Sequence, residues 1–373
     1  MARCPRGTSP TTLVSMFVAW RDLRFAKGRF ALMGTVIVLI TLLVGLLSGL
    51  TAGLARENVS AITGLPADRL AFAAPPAGQS VSFTNSTVTE EQWERWAGRP
   101  GVTEADPIGI RTLNAAAGDR TAAVSAFGTE PDAGLAPVPV GTGKAVLSES
   151  AAEELGVAAG DAVRLGPLEV TVTAVSGDAS YSHTPVVWTS LDDWQELGRS
   201  GTTPQEQATV IALSGGGTDW AAGDQAAGTE ARTIDGALTA IGSYQAENGS
   251  LQLMRGFLFA ISALVIGAFF TVWTIQRSGD VAVLKALGAS TPYLLRDALG
   301  QAVLMLAAGT LLGTGLAVGI GALVSGGNVP FVLEPLTVLG PAAVIVVLGV
   351  LGAALSIRRI TAVDPLTALG SAR

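Results

Sequence analysis

Six residues that could bind a ligand through charge or coordination stand beside the apolar segments of this chain. They follow the first apolar run or precede the second, and they are Arg56, Glu57, Asn58, Glu247, Met254 and Arg255. A thioether such as Met254, and less usually a carboxylate such as Glu57, can bind iron, while an arginine can pair with an acidic group of a ligand. Residues of these types also mark the edge of a membrane, so a simple capping role is an open alternative.

Residue types used in other kinds of site are scarce. The chain has one cysteine, Cys4, and one histidine, His183, which excludes an internal disulfide, a cysteine-based metal site and a histidine cluster. Residues 141–144 read GTGK and lack the GxxxxGKS/T spacing of a nucleotide-binding loop. We therefore expect no catalytic residues and no intrinsic cofactor, and we expect ATP hydrolysis to come from a separate subunit.

Apolar runs are the elements that must position these candidates. The chain is 49% hydrophobic and only 14% charged, against about 25% charged residues in typical soluble domains. Residues 31–55, 256–276, 298–324 and 336–357 are each long enough to cross a hydrocarbon core of about 30 Å as a helix. The sequence thus predicts a membrane α-helical protein with four transmembrane helices. Small residues in the third run permit close helix approach, and they include Gly309, Gly313, Gly315 and Gly319.

Basic residues in the short flanks of these runs set the orientation. They are Arg21, Arg24, Lys27, Arg29, Arg277, Lys285, Arg296, Arg358 and Arg359. Because such residues stay on the cytoplasmic side, residues 1–30, 277–297 and 358–373 are predicted to be cytoplasmic, and both termini with them. Residues 56–255, with eleven Lys or Arg and twenty-five Asp or Glu, then form an extracytoplasmic domain between the first two helices. Its acidity argues against a nucleic-acid partner, which needs a basic face.

The extracytoplasmic block reads as a mixed α/β domain. A short helix is predicted over residues 90–97, entered through Thr89, and a second over residues 151–155. Predicted strands cover residues 78–88, 102–110, 121–128, 144–150, 162–165 and 169–175. Glu149 and Asp161 could form a carboxylate pair, although their positions beside turns favour two solvated side chains.

The segment 277–297 between the second and third runs mixes apolar and charged residues at helical spacing. Val281, Leu284 and Leu287 recur at this spacing, and Lys285 falls between them. This pattern predicts a short amphipathic helix on the membrane surface, followed by a helix stop and a new start. From the residue pattern alone, an ordinary cytoplasmic turn between two spans is the simpler interpretation.

Three passages resemble permeases of the FtsX and MacB type. Residues 278–290 read SGDVAVLKALGAS, as in the segment that these permeases carry after their second span, and residues 144–165 resemble their periplasmic core domain. Residues 356–369 resemble their closing basic pair and DP..AL tail. The resemblance implies that the loop binds a cytoplasmic dimer of ABC ATPase subunits, and that the basic segment 17–30 is a second surface against it. The implied coupling residues are Asp280, Lys285, Ala286, Leu287 and Gly288.

Within this family, the compact length and the single small outer domain are most similar to the haem-exporting permeases of Gram-positive, actinobacterial bacteria. That resemblance implies a homodimer in the plasma membrane that takes haem from the lipid between its first and second spans. It also implies that Arg56, Glu57, Asn58, Glu247, Met254 and Arg255 bind the haem, with Glu57 and Met254 as candidate ligands of the iron. The same resemblance implies that haem is the transported substrate and that ATP acts through the partner subunit.

Two other functions are open at this point. A permease of the same fold could serve antibiotics, peptides or lipoproteins, and the chain could instead be an FtsX-like regulator of a cell-wall hydrolase. No residue of the four predicted spans is ionised, which excludes a proton relay through them. This favours a substrate that reaches the protein from the lipid or is pushed from outside.

Overall fold

The computed structural model describes residues 27–198, 207–325 and 329–361. Cys4, most of the basic segment 17–30 and the tail beyond residue 361 lie outside the described residues. The chain divides into two compact units. The outer unit is Leu54–Ser250, and the span unit comprises the residues up to Gly53 and those from Leu251 onward.

Helices and strands are numbered here along the chain. The helices are α1 (Lys27–Thr63), α2 (Glu90–Ala97), α3 (Glu149–Leu155), α4 (Leu191–Gly198), α5 (Trp220–Ala227), α6 (Ile234–Ala237), α7 (Tyr244–Gln276), α8 (Ser278–Ala286), α9 (Thr291–Val324) and α10 (Pro335–Thr361). The strands are β1 (Arg69–Ala73), β2 (Val88–Thr89), β3 (Val102–Ala117), β4 (Arg120–Thr129), β5 (Lys144–Leu147), β6 (Ala162–Leu165), β7 (Leu168–Val175), β8 (Ser180–Tyr181), β9 (Thr184–Ser190), β10 (Gln207–Ala208), β11 (Val210–Gly215) and β12 (Thr229–Thr233).

Four of these helices, α1, α7, α9 and α10, are long and apolar enough to cross a membrane. All the strands fall between α1 and α7 in the chain, together with the short helices α2 to α6. This confirms the predicted fold class of four transmembrane helices with an α/β domain between the first two.

The transmembrane helices are longer than the apolar runs. Helix α1 continues to Thr63, and α7 begins at Tyr244, well before its apolar run. Residues 291–297, predicted as part of a loop, are the first turns of α9. The helix starts at this point because Ser290 has the extended backbone of an N-cap residue and a proline lies in the first turn.

Glycines set the packing of the span unit. A Cβ added at Gly309 would lie 2.7 Å from the buried Ile37 side chain, and one added at Gly313 would lie 2.6 Å from a backbone oxygen of α1. Both glycines therefore allow α9 to approach α1 closely, as the sequence predicted. Gly315 and Gly319 have no such neighbour, because a Cβ at either position would meet nothing within 4 Å.

The outer unit is built on one large sheet in the order β12-β1-β11-β3-β4-β9-β5-β7-β6. Strand β6 also pairs with the end of β3, so β3, β4, β9, β5, β7 and β6 close into a ring of six strands. A separate short sheet pairs β10 with β2, and β8 forms a hairpin with β9. The ring surrounds a core of small and branched apolar side chains that includes Val124, Leu147, Val163 and Val172.

Most of the predicted elements of the outer unit are present, and one is wrong. Helix α2 begins after Thr89, and strands β4, β5, β6 and β7 lie where the pattern placed them. In contrast, most of the segment 78–87, predicted as a strand, is turn and loop. Its backbone is bound instead through isolated contacts, such as the hydrogen bond from the Phe83 N–H to the Ala240 carbonyl at 3.2 Å. Val81 and Phe83 are buried without a strand around them.

Candidate functional site

A two-residue turn joins β8 to β9 and brings a histidine against α1. Ser182 and His183 have φ angles of 49° and 62°, and positive φ at both positions is what a tight hairpin turn of this length requires. For residues other than glycine this backbone costs about 1 kcal/mol each. The strain is offset because both N–H groups donate to helix carbonyls, Ser182 to Asn58 at 3.0 Å and His183 to Glu57 at 3.2 Å.

The imidazole of His183 lies between two glutamates from different helices. Its Nε2 is 2.8 Å from the Oε2 of Glu247 on α7, and its Nδ1 is 3.7 Å from the Oε2 of Glu57 on α1. The Asn58 side-chain amide also donates to the Glu247 Oε2, at 2.6 Å. We call Glu57, Asn58, His183 and Glu247 the outer cluster. All four residues belong to the outer unit.

The two carboxylates of the outer cluster are held differently. Glu247 receives two short hydrogen bonds on the same oxygen, which fix its orientation. Glu57 has only the 3.7 Å approach of the imidazole, and among the described residues nothing donates a hydrogen bond to its carboxylate. Its side chain is 43% exposed. Glu57 therefore presents the carboxylate that can accept a new ligand.

Further bonds fasten the same part of α1 to the chain around β8. The Ser60 hydroxyl accepts from the Ser180 N–H at 2.8 Å and donates to the Ser180 carbonyl at 3.3 Å. The Arg56 guanidinium pairs with the Asp178 carboxylate at 2.9 Å. These bonds keep the histidine turn in register with Glu57 and Asn58.

Packed aromatic rings inside the outer unit support the turn. The ring of Tyr181 packs edge-on against Phe83 and Phe127, with centroids 5.6 and 5.7 Å away. Burial raises the pKa of the Tyr181 phenol, so this ring stays neutral and acts as a packing group. The turn therefore projects from a fixed base.

Three of the six ligand-binding candidates from the sequence, Glu57, Asn58 and Glu247, are brought together by the structure. Arg56 is a neighbour in the chain whose guanidinium is engaged with Asp178. Met254, 49% exposed, and Arg255 lie further along α7 in the span unit, and their roles stay predictions.

His183 is not among the residues that the sequence patterns select. The only signal available was that it is the single histidine of the chain. Its proximity to Glu57 depends on a hairpin whose turn residues, Ser and His, are not those that usually favour positive φ. The pairing of residues so distant in the chain could not be read from spacing.

The outer cluster is not a self-sufficient metal site. Across the part of the chain that the structure describes, no group of three or more His, Cys, Asp or Glu side chains could hold a metal ion. A ligand that brings most of its own donor atoms to the iron, as a porphyrin does, needs only one or two groups from the protein.

The predicted coupling segment forms α8 and the turn after it. Asp280 and Lys285 lie in α8, and Gly288, with a φ of 94°, ends the segment in a conformation that favours glycine. The Leu287 side chain is 79% exposed. Close by, Arg277 stacks on the Trp273 ring at 5.4 Å.

Two family models match the chain. The model of the MacB-like periplasmic core domain matches residues 30–229, and that of the FtsX-like permease C-terminal region matches residues 253–365. The chain belongs to the FtsX/MacB family of ABC transporter permeases. It is a multi-pass membrane permease with an extracellular domain between its first two helices.

Relatives align with this permease over nearly their whole length. Putative hemin transport system permease proteins HrtB from Staphylococcus epidermidis and Staphylococcus haemolyticus are 24% and 26% identical, and each alignment covers 95% of this chain and 99% of the relative. An uncharacterized ABC transporter permease from Mycobacterium tuberculosis is 24% identical over the same shares.

Two solved structures are similar to part of the permease. The extracellular domain of the noncanonical ABC-type transporter YknZ from Gram-positive bacteria is 14% identical, with a TM-score of 0.32, over 43% of this chain and 88% of that one. The periplasmic region of MacB from Actinobacillus actinomycetemcomitans is 11% identical, with a TM-score of 0.33, over 47% and 92%.

Proposed function

We propose that this permease exports haem, or a similarly amphipathic toxic compound, from the membrane. The observation that carries the proposal is the Glu57 carboxylate, which is exposed, receives no hydrogen bond among the described residues and stands beside the His183 imidazole. The printed names of the staphylococcal relatives, which concern hemin transport, support the same substrate class.

In this proposal Glu57 and Met254 are the candidate ligands of the iron. Asn58 and Glu247 hold the surrounding polar groups in place, and Arg56 and Arg255 supply positive charge for the acidic side chains of the porphyrin. The macrocycle occupies four positions on the iron, which leaves one or two for protein ligands.

We further propose that the permease works as a homodimer with both termini in the cytoplasm. ATP is hydrolysed by a separate dimer of HrtA-like ABC ATPase subunits. These subunits close the spans, and the closure expels the substrate. The coupling surface is α8 with the residues that follow it, and its proposed members are Asp280, Lys285, Ala286, Leu287 and Gly288. The exposed Leu287 supports this assignment.

The substrate is tested by titrating haem into the permease in lipid nanodiscs, with empty nanodiscs as the baseline. We expect a saturable Soret band that Glu57→Ala abolishes and Met254→Ala weakens. Glu94→Ala is the matched control, since it removes an exposed carboxylate of α2 and should leave the band unchanged. A wild-type titration indistinguishable from empty nanodiscs contradicts haem as the substrate, and co-purification with a cell-wall hydrolase would favour a regulator.

The coupling surface is tested by co-purifying the permease with its ATPase. Leu287→Asp places a charge in the exposed apolar position and should abolish the complex. Val175→Asp, a comparable change at an exposed valine of the outer unit, is the control and should leave the complex intact. Equal loss in both variants would argue against this surface.

A further inference from the structure

The His183 turn has a backbone that its residues do not favour. Asn-Gly is the pair that adopts positive φ at both turn positions most readily, whereas this chain has Ser182 and His183 there. Strain that persists at one place is a reason to ask what the side chain does. The His183 ring is 32% exposed and touches both glutamates of the outer cluster.

His183 contacts Glu57 through both its main chain and its side chain. The His183 N–H donates to the Glu57 carbonyl at 3.2 Å, while the His183 Nδ1 lies 3.7 Å from the Glu57 carboxylate. The opposite nitrogen, Nε2, is bound to Glu247, which the Asn58 amide also holds. The ring thus has a fixed orientation, and it borders Glu57 without taking up the carboxylate in a hydrogen bond.

We propose that His183 is a positioning residue for the haem-binding carboxylate: held at Nε2 by Glu247 and at its N–H by the Glu57 carbonyl, its ring limits the positions that the Glu57 side chain can take and leaves the carboxylate accessible to the iron. The inference rests on the haem export proposed above. Glu247 acts through the histidine, Asn58 acts through Glu247, and neither touches the iron. Groups that orient a ligand of a metal typically change its affinity about 10- to 100-fold when they are removed.

The test is a haem titration of the full-length permease in nanodiscs, read by the Soret band and by electron paramagnetic resonance of the ferric iron. His183→Asn keeps a residue that tolerates positive φ but is too short to reach both carboxylates. We expect haem affinity to fall about tenfold with the spectra unchanged, because Glu57 is still the ligand. Glu247→Ala should have the same effect, and the double variant should bind no more weakly than either single variant.

A second variant separates the imidazole from the turn. Ser182→Asn combined with His183→Gly creates the preferred turn pair, so the hairpin should be at least as stable as in the wild type. We expect the same tenfold loss of haem affinity as in His183→Asn, together with an unchanged or higher thermal midpoint. Full affinity in this variant would overturn the inference, because it would show that only the turn geometry matters.

The other outcomes are also decisive. If the wild type binds haem through Glu57 and His183→Asn binds it within twofold of the wild type, the positioning role is wrong and the proposed function stands. If His183→Asn changes the spectra to those of a different axial ligand, His183 binds the iron itself and the positioning role is wrong. If the wild type gives no saturable band, the proposed function fails and the inference fails with it.

Discussion

Helix α1 is held in two different ways along its length. In the span unit, a Cβ added at Gly49 would lie 2.3 Å from the Phe331 ring, and one at Gly53 would lie 2.0 Å from the Pro330 carbonyl oxygen. In the outer unit, the stretch 56–60 is held by hydrogen bonds and an ion pair to the chain around β8. One segment relies on the absence of side chains and the other on directional polar bonds.

The two segments of α1 tolerate different changes. Close packing against backbone leaves no room for an added atom, because interiors are packed as densely as organic crystals. Polar bonds at a partly exposed surface can be exchanged with water or with a ligand at a modest net cost. A binding site is therefore expected in the polar segment, and a rigid contact in the glycine segment.

The largest effect should come from adding one carbon to the glycine segment. Gly53→Ala would place its Cβ against the Pro330 backbone, which cannot move as a flexible side chain can. We expect a loss of about 2 kcal/mol of stability, measured as a lower thermal midpoint in detergent. Gly315→Ala is the matched control, because a Cβ there meets nothing within 4 Å. Similar midpoints for both variants would contradict the comparison.

A smaller effect should follow from removing one polar bond of the outer segment. Ser60→Ala leaves the Ser180 N–H without its acceptor, and we expect a local loss of about 1.5 kcal/mol. Hydrogen exchange of the peptide that contains Ser180 should become about tenfold faster. Ser250→Ala removes a hydroxyl that bonds only to its own helix, at Ala246, and should leave the exchange unchanged. Unaltered exchange in Ser60→Ala would show that this bond contributes nothing.

The exposed ion pair of the same segment should contribute less. Arg56 and Asp178 have side chains 48% and 60% exposed, and such pairs contribute about 0.5 kcal/mol or less. We expect Arg56→Ala to lower the thermal midpoint slightly at low salt and not at all at high salt. A large loss that persists at high salt would mean that Arg56 has a packing role.

The smallest effect concerns pH. Burial, and secondarily the neighbouring charge of Glu104, raise the pKa of Asp106 on β3. The folded state therefore binds the proton more tightly, so this group's contribution to stability falls as pH rises from the ordinary aspartate value through the raised one. Asp106→Asn should remove that fall and raise the free energy of unfolding at neutral pH by about 0.5 kcal/mol or less. The thermal midpoints of the wild type and Asp106→Asn, measured from acidic to neutral pH, show this change. Gly53→Ala is the control, because the amount by which it lowers the midpoint should not vary over that range.

Local signals in the sequence predicted much of the fold. The long apolar runs gave the four transmembrane helices, since length and composition suffice for that inference. Helix α2 was predicted from Thr89 and the amphipathic residues after it, and the structure shows the Gln92 side chain accepting from the Thr89 N–H at 3.0 Å. The segment 78–87 was misjudged because Val81 and Phe83 are buried by contacts with distant residues rather than by strand pairing.

The candidate site was predicted only in part. Glu57, Asn58 and Glu247 could be selected because each stands beside a membrane-spanning run. The structure joins the two glutamates through His183, and Asn58 bonds directly to Glu247. The histidine could not be selected, since its position depends on a hairpin from another part of the chain. Pairing between distant strands follows from tertiary packing, which a single sequence does not display.

The closed ring of the outer unit bears on aggregation. Every strand of the ring pairs with a neighbour on each side along part of its length, which leaves shorter rows of unpaired backbone groups than an open sheet edge would. The large sheet does end at β12, but that strand is short and carries Glu230 and Arg232, which form an ion pair. A charged edge of this kind discourages strand addition. Both features limit edge-to-edge polymerisation of the large sheet. Such protection matters for an extracellular domain, because cytoplasmic chaperones cannot reach it.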